Sequence, residues 1–229
     1  MAFFKLQIIL AFVLCSFSAK GQEITNADVR KQKIDSLLKF LGGEDIWAKA
    51  KGFRMLEIAT YSGLEHPMVR EFWVDFEQPR IKMITKSIER RETVALNNKN
   101  GWTKDQEGKV TPWNQNRVNG WQSFWPGIPT RIFSRLAKKD ASVSFKVYED
   151  RIDFYVNDKF AVWIATSQNG SPVAYGRSKE HTETHFLGEI VPYGQVNLWK
   201  DAYEPGGHWR FTMVDYELLS DMDQISFEE

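Results

Sequence analysis

The segment His181-Thr182-Glu183-Thr184-His185 is where this chain could build metal chemistry. On a strand, alternate residues share a face, so His181, Glu183 and His185 point one way and Thr182 and Thr184 the other. Same-face neighbours are about 7 Å apart, which sets the two histidines about 13 Å apart at the backbone. One ion can then take Glu183 with one histidine, and further ligands must come from an adjacent strand. The competing reading is a solvated polar face. The segment is not the zinc-protease motif, whose two histidines share a helix.

Other reactive arrangements are harder to find. There is no Gly-x-Ser-x-Gly elbow, and the single cysteine, Cys15, lies in an apolar N-terminal run. Asp150 with Asp153, and Asp221 with Asp223, are carboxylate pairs that read more simply as turn and terminal residues. No glycine-rich phosphate loop occurs. These absences point away from an enzyme and call for no cofactor.

Aromatic residues are the unusual feature. Nine Trp and 16 Phe occupy a chain of 229 residues with 30 basic and 30 acidic side chains. Indole N–H groups need partners when buried, so an excess of Trp suggests a cavity, a stacking surface or an interface. The richest stretch is Trp121-Gln122-Ser123-Phe124-Trp125-Pro126-Gly127-Ile128-Pro129. With Ile132, Phe133 and Leu136 from the following helix, Trp121, Phe124, Trp125 and Ile128 could form an apolar lid. Each acyl methylene such a lid covers is worth about 0.8 kcal/mol. The same residues could equally plug the interior as permanent core, or the indoles could stack on sugar rings.

The N-terminus reads as an export signal. Lys5 precedes the apolar run Ile8-Ile9-Leu10-Ala11-Phe12-Val13-Leu14, and Ala19 and Gly21 sit at the −3 and −1 positions of a cut before Gln22. The run is too short to span a bilayer. Leu14 before Cys15 is too large for a lipoprotein signal. Export predicts a periplasmic or secreted protein whose mature part, residues 22 to 229, forms one domain without cysteine. Losing Lys5 and Lys20 from the 30 basic residues leaves 28 against 30 acidic ones, which argues against nucleic acid as a partner. No later segment is long and apolar enough to span a membrane.

Helix signals come first. Thr25 to Asp28 resembles a capping box, and Ile34, Leu37, Leu38 and Leu41 repeat with helical spacing until Gly42-Gly43. A short helix follows over residues 44 to 50. From Phe53 the period becomes two: Phe72, Val74 and Phe76 share one face, and Glu71, Trp73 and Asp75 the other. Hairpin signals recur at Gln78-Pro79 and Asn97 to Gly101. Residues 112 to 140 interrupt the meander, with a helix over 130 to 139 that places Arg131, Arg135 and Lys138 outward. Strand rhythm resumes at 142 and continues over 152–156, 160–164, 173–178, 182–188, 196–201 and 208–218. The plan is mainly β with helices, about ten antiparallel strands in one curved sheet.

Phe40-Leu41-Gly42-Gly43 ahead of the first strand resembles the LolA/LolB-like half-barrels of the bacterial outer-membrane lipoprotein carrier superfamily. So does the run Phe72-Trp73-Val74-Asp75-Phe76-Glu77-Gln78-Pro79-Arg80-Ile81 around its proline turn, and the later Gly101-Trp102. The resemblance covers nearly the whole mature chain and rests on layout more than on motifs. It implies an incomplete antiparallel barrel packed against an N-terminal helix, with a concave apolar side and a helical lid at residues 119 to 138. It gives no residue here for the carriers' cavity-closing arginine. The expected activity is non-enzymatic binding of an apolar or acylated ligand through Phe72, Val74, Phe76, Trp121, Phe124, Trp125, Ile128, Ile132, Phe133 and Leu136. Envelope proteins are the further partner class. A carbohydrate- or envelope-partner-binding module is the alternative, and a metal-assisted hydrolase the third.

Overall fold

The computed structural model describes residues 21 to 228. Apart from Gly21, the export signal lies outside the described residues. Helix α1, Ala27–Phe40, starts one residue later than the Thr25 box predicts. Its cap is Asn26, whose Oδ1 accepts from the backbone N–H of Asp28 at 3.0 Å and of Val29 at 3.2 Å. Helix α2, Glu44–Lys49, carries Trp47 into the core, where its indole N–H donates to the Leu41 carbonyl at 3.1 Å.

Six strands follow in a meander: β1 Gly52–Tyr61, β2 Met68–Asp75, β3 Arg80–Lys86, β4 Arg91–Asn97, β5 Asn100–Lys104 and β6 Val110–Pro112. The insertion then forms α3, Gln115–Phe124, one 3-10 turn at Trp125–Gly127, and α4, Pro129–Ala137. The second run is β7 Val143–Val147, β8 Arg151–Val156, β9 Lys159–Thr166, β10 Pro172–Gly176 and β11 His185–Leu187. It continues through β12 Ile190–Tyr193, β13 Val196–Trp199, β14 Asp201–Tyr203 and β15 Trp209–Leu219.

Thirteen strands make one sheet, ordered β6-β5-β4-β3-β2-β1-β15-β14-β11-β10-β9-β8-β7, and β12 and β13 pair as a separate ribbon. Every pairing is antiparallel, as hairpin connections require. The last strand returns to pair with the first, so the two edges are β6 and β7. Among the described residues the helical insertion is therefore the only connection that runs from one edge of the sheet to the other.

The sheet is strongly curved. In a flat sheet β3 and β8 would stand roughly 38 Å apart at the normal strand spacing. Ile81 of β3 and Ile152 and Phe154 of β8 nonetheless belong to one core with Leu37, Trp47, Ile132 and Phe133 of the helices. Register breaks between Leu56 and Glu57, and between Phe154 and Tyr155, mark irregularities of the kind that bend a sheet. The open, curved antiparallel sheet with packed helices is the expected fold class.

Details differ from the sequence reading. Fifteen strands form among the described residues rather than ten, because several are only three or four residues long. The strand expected over 182–188 shrinks to β11, since residues 177 to 184 bend and His181 takes a left-handed φ of 58°. Helix α3 overlaps the expected helical lid of residues 119 to 138 but begins at Gln115, ahead of the helix read over 130 to 139.

The end of α1 shows why glycine is needed there. Gly42 has φ 114°, and a Cβ on it would lie 2.4 Å from the Gln195 carbonyl oxygen. The same contact is reinforced by Asn197, whose Nδ2 donates to the Phe40 carbonyl at 2.9 Å. Gly42→Ala should cost about 2 kcal/mol or more, because strain and collision add. A denaturant midpoint unchanged from wild type would contradict this.

Candidate functional site

The residues expected to line a ligand cavity separate into three groups by burial. Val74, Phe76, Ile128, Ile132 and Phe133 are buried in the main core, with Ile132 and Phe133 wholly inaccessible. Phe133 meets Trp47 edge-on at 5.5 Å, and Phe76 lies 5.9 Å from Phe53, which stacks on Tyr216 at 5.1 Å. Phe72, Trp121, Trp125 and Leu136 pack half-buried against this core. Phe124 is 40% exposed. Helix α4 thus fills the concave side together with α1 and α2, whereas α3 buries only Val118.

Arg131 departs from its expected outward position. It is 3% exposed, its Nε donates to the Phe76 carbonyl at 2.9 Å, and its guanidinium lies 3.6 Å from the Trp125 ring centroid. Burial pulls its pKa down to about 9. The Trp125 indole in turn donates to the Asp75 carbonyl at 2.6 Å. These bonds fix α4 and the 3-10 turn to the end of β2.

An open cleft of about 810 Å³ lies beside this plug. Its apolar walls are Phe124 and Pro126 from the insertion and Val156, Phe160 and Ala161 from the β8–β9 hairpin. The hairpin turns tightly because Asn157 and Asp158 both take left-handed φ values, 50° and 60°. Polar groups line the rest: Ser123, Asn157, Lys159, Arg177 and Glu183. Gly120 on α3 borders the opening, and no atom would meet a Cβ there.

Arg177 ties the insertion to the sheet. Its guanidinium sits 4.2 Å from the Phe124 ring centroid, and its Nη2 donates to Glu183 Oε1 at 3.1 Å. Glu183 Oε1 also lies 2.8 Å from His185 Nε2. Burial works to raise the Glu183 carboxyl, but the His185 hydrogen bond and the Arg177 charge outweigh it and hold the pKa below the usual carboxylate range. An ionised carboxylate only accepts, so His185 Nε2 carries the hydrogen and Nδ1 faces inward without a partner.

Behind this wall runs an aromatic row on the inner face of the sheet. The β10–β11 register sets Tyr175 opposite His185, and their rings are 4.8 Å apart. His185 meets Trp209 at 5.1 Å, and β15 sets Trp209 opposite Tyr61 of β1. Glu57, on the same phase of β1, is buried and paired with Arg70, which also bonds the Tyr61 hydroxyl. Burial raises the Glu57 pKa against the pull of Arg70, and burial likewise pushes the Tyr175 phenol up.

The metal reading loses its geometry. His181 and His185 do not share a strand, His181 Nε2 lies 3.9 Å from Asp153, and burial lowers the His181 pKa. Among the described residues no three His, Cys, Asp or Glu side chains converge as metal ligands do. All nine indoles are buried or half-buried.

No family model matches the chain, and no curated protein matches it. Among solved structures, the crystal structure of a DUF1329 family protein from Desulfovibrio piger is similar to it. The two chains are 8% identical, with a TM-score of 0.44 over 86% of this chain and 96% of that one.

Sequence reasoning singled out Phe124 and Glu183 but missed Lys159, Phe160, Arg177 and Tyr175. Glu57 carried a usable signal. It interrupts the inward set Phe53, Met55, Ala59 and Tyr61 with a carboxylate, which a core tolerates only when paired.

Proposed function

We propose that the protein is an exported, non-enzymatic binding protein that takes an apolar or acylated ligand in the cleft between α3 and the β8–β9 hairpin. The observation that carries this reading is an opening of ligand size with apolar walls, set beside a concave side that helices already occupy. Binding sites for small molecules range over about 300–1,000 Å³ and mix apolar walls with a few polar groups. Helix α3 is the part that can cover and uncover the ligand, because it buries one residue and carries Gly120 mid-helix, at a cost of about 1 kcal/mol in helix stability. Helix α4 stays in place as core.

Mass spectrometry of lipids extracted from protein purified from its native host tests the reading. An apolar or acylated molecule should co-purify with wild type. Ala161→Trp, which puts an indole on the cleft floor, should lower the recovered amount about ten-fold or more with the fold intact by circular dichroism. Equal recovery from both proteins, or none from wild type, would contradict the assignment.

A further inference from the structure

We propose that the ligand of this cleft is acidic, a carboxylate or phosphate head on an apolar body, with Arg177 and the buried donors around Tyr175 receiving the head. The inference rests on the binding reading above and names the chemistry of its ligand. Its basis is three of the buried N–H groups that find no acceptor: Arg70 Nε, Arg177 Nε and Trp199 Nε1. Native structures leave few such groups, since each costs about 1–3 kcal/mol.

Unlike Arg30 Nε beside Phe145 and Arg131 Nη1 beside Trp125, these three gather in one place. Tyr175 lies at their centre. Its ring is 4.8 Å from His185 and 6.0 Å from Trp199, and the charges of both Arg177 and Arg70 act on its phenol. Trp199 is 5% exposed, which keeps its indole N–H out of reach of bulk solvent. Arg177 belongs both to this group and to the cleft lining, which makes it the door between them.

Charge balance favours an anion over a neutral acceptor. Glu57 neutralises Arg70, and Glu183 neutralises Arg177. Lys159 at the mouth has no ion-pair partner among the described residues, which leaves the cleft one positive charge in excess. Guanidinium groups bind carboxylates and phosphates through charge-assisted hydrogen bonds, about twice as strong as neutral ones. The apolar body then lies between Phe124 and Phe160.

Titrations of the full mature protein with dodecanoate, dodecyl phosphate, dodecanol and dodecyltrimethylammonium, followed by tryptophan fluorescence, test this. At least one anionic amphiphile should bind about ten-fold or more tightly than dodecanol, and the tighter of the two identifies the head. Arg177→Gln should shrink that preference to about three-fold or less while dodecanol affinity holds. Should that variant fail to fold, Lys159→Gln, on the exposed turn, should still narrow the gap. Dodecanol binding as tightly as the anions, or the cation binding best, would overturn the acidic-ligand proposal and leave the binding reading standing. Binding of none of the four would overturn both.

Discussion

Phe133→Ala should lower stability to urea by about 3–5 kcal/mol, the usual cost of emptying a large aromatic site in a core. Phe133 is wholly buried, faces Trp47 edge-on at 5.5 Å, and lies on a helix whose residues 130 to 134 are all buried. The neighbours cannot collapse into the space, because Trp47 is held by its bond to Leu41 and Arg131 by its bond to Phe76. A mobile lid gives another result. Side chains that spend time in solvent lose little when trimmed, and a change under about 1 kcal/mol would remove α4 from the core.

Arg70→Met should cost about 3–5 kcal/mol at neutral pH, since it leaves the Glu57 carboxylate buried without its partner. The loss should depend on pH with a definite sign. Burial already raises the folded-state pKa of Glu57 above its unfolded value, and removing Arg70 raises it further. A carboxyl with a raised folded pKa favours the folded state below the unfolded pKa, and that advantage disappears as pH rises through the folded value. The variant should therefore lie closest to wild type in acid and fall behind it as pH increases. Denaturation at a series of pH values reads this directly. A difference independent of pH would mean that Glu57 is not the group left uncompensated.

How much of this was visible in the residue order depends on where each signal resides. Alternation in Phe72, Val74 and Phe76, or in Ile152, Phe154 and Val156, is local, and those strands stand where expected. Helix α3 is faint because Gln115 to Phe124 offers little apolar repeat beyond Val118 and Trp121, and a glycine interrupts it. The cap at Asn114, which accepts from the Arg117 N–H at 2.9 Å, was the available clue. Arg131 misled for a different reason. Its helical spacing groups it with Arg135 and Lys138, but Trp125 and the Phe76 carbonyl close over it from outside its own helix.

The cleft had no local signature at all. Lys159 sits beside a hairpin turn and Arg177 at the start of a bend, positions where charged residues are ordinary. They meet because the sheet curls far enough for the β8–β9 hairpin and the 177–184 segment to reach the insertion. The pairing of Glu183 with His185 was half legible. Their proximity survives at 2.8 Å, while the shared strand with His181 does not.

Hydrogen exchange followed by mass spectrometry, with and without dodecanoate, bears most directly on the division between a fixed α4 and a movable α3. Amides of α4 should exchange only through near-global opening in both states, whereas those of α3 should exchange rapidly in the free protein and slow when ligand is present. Rapid exchange of α4 in the free protein, with ligand protection falling there instead of on α3, would contradict the account.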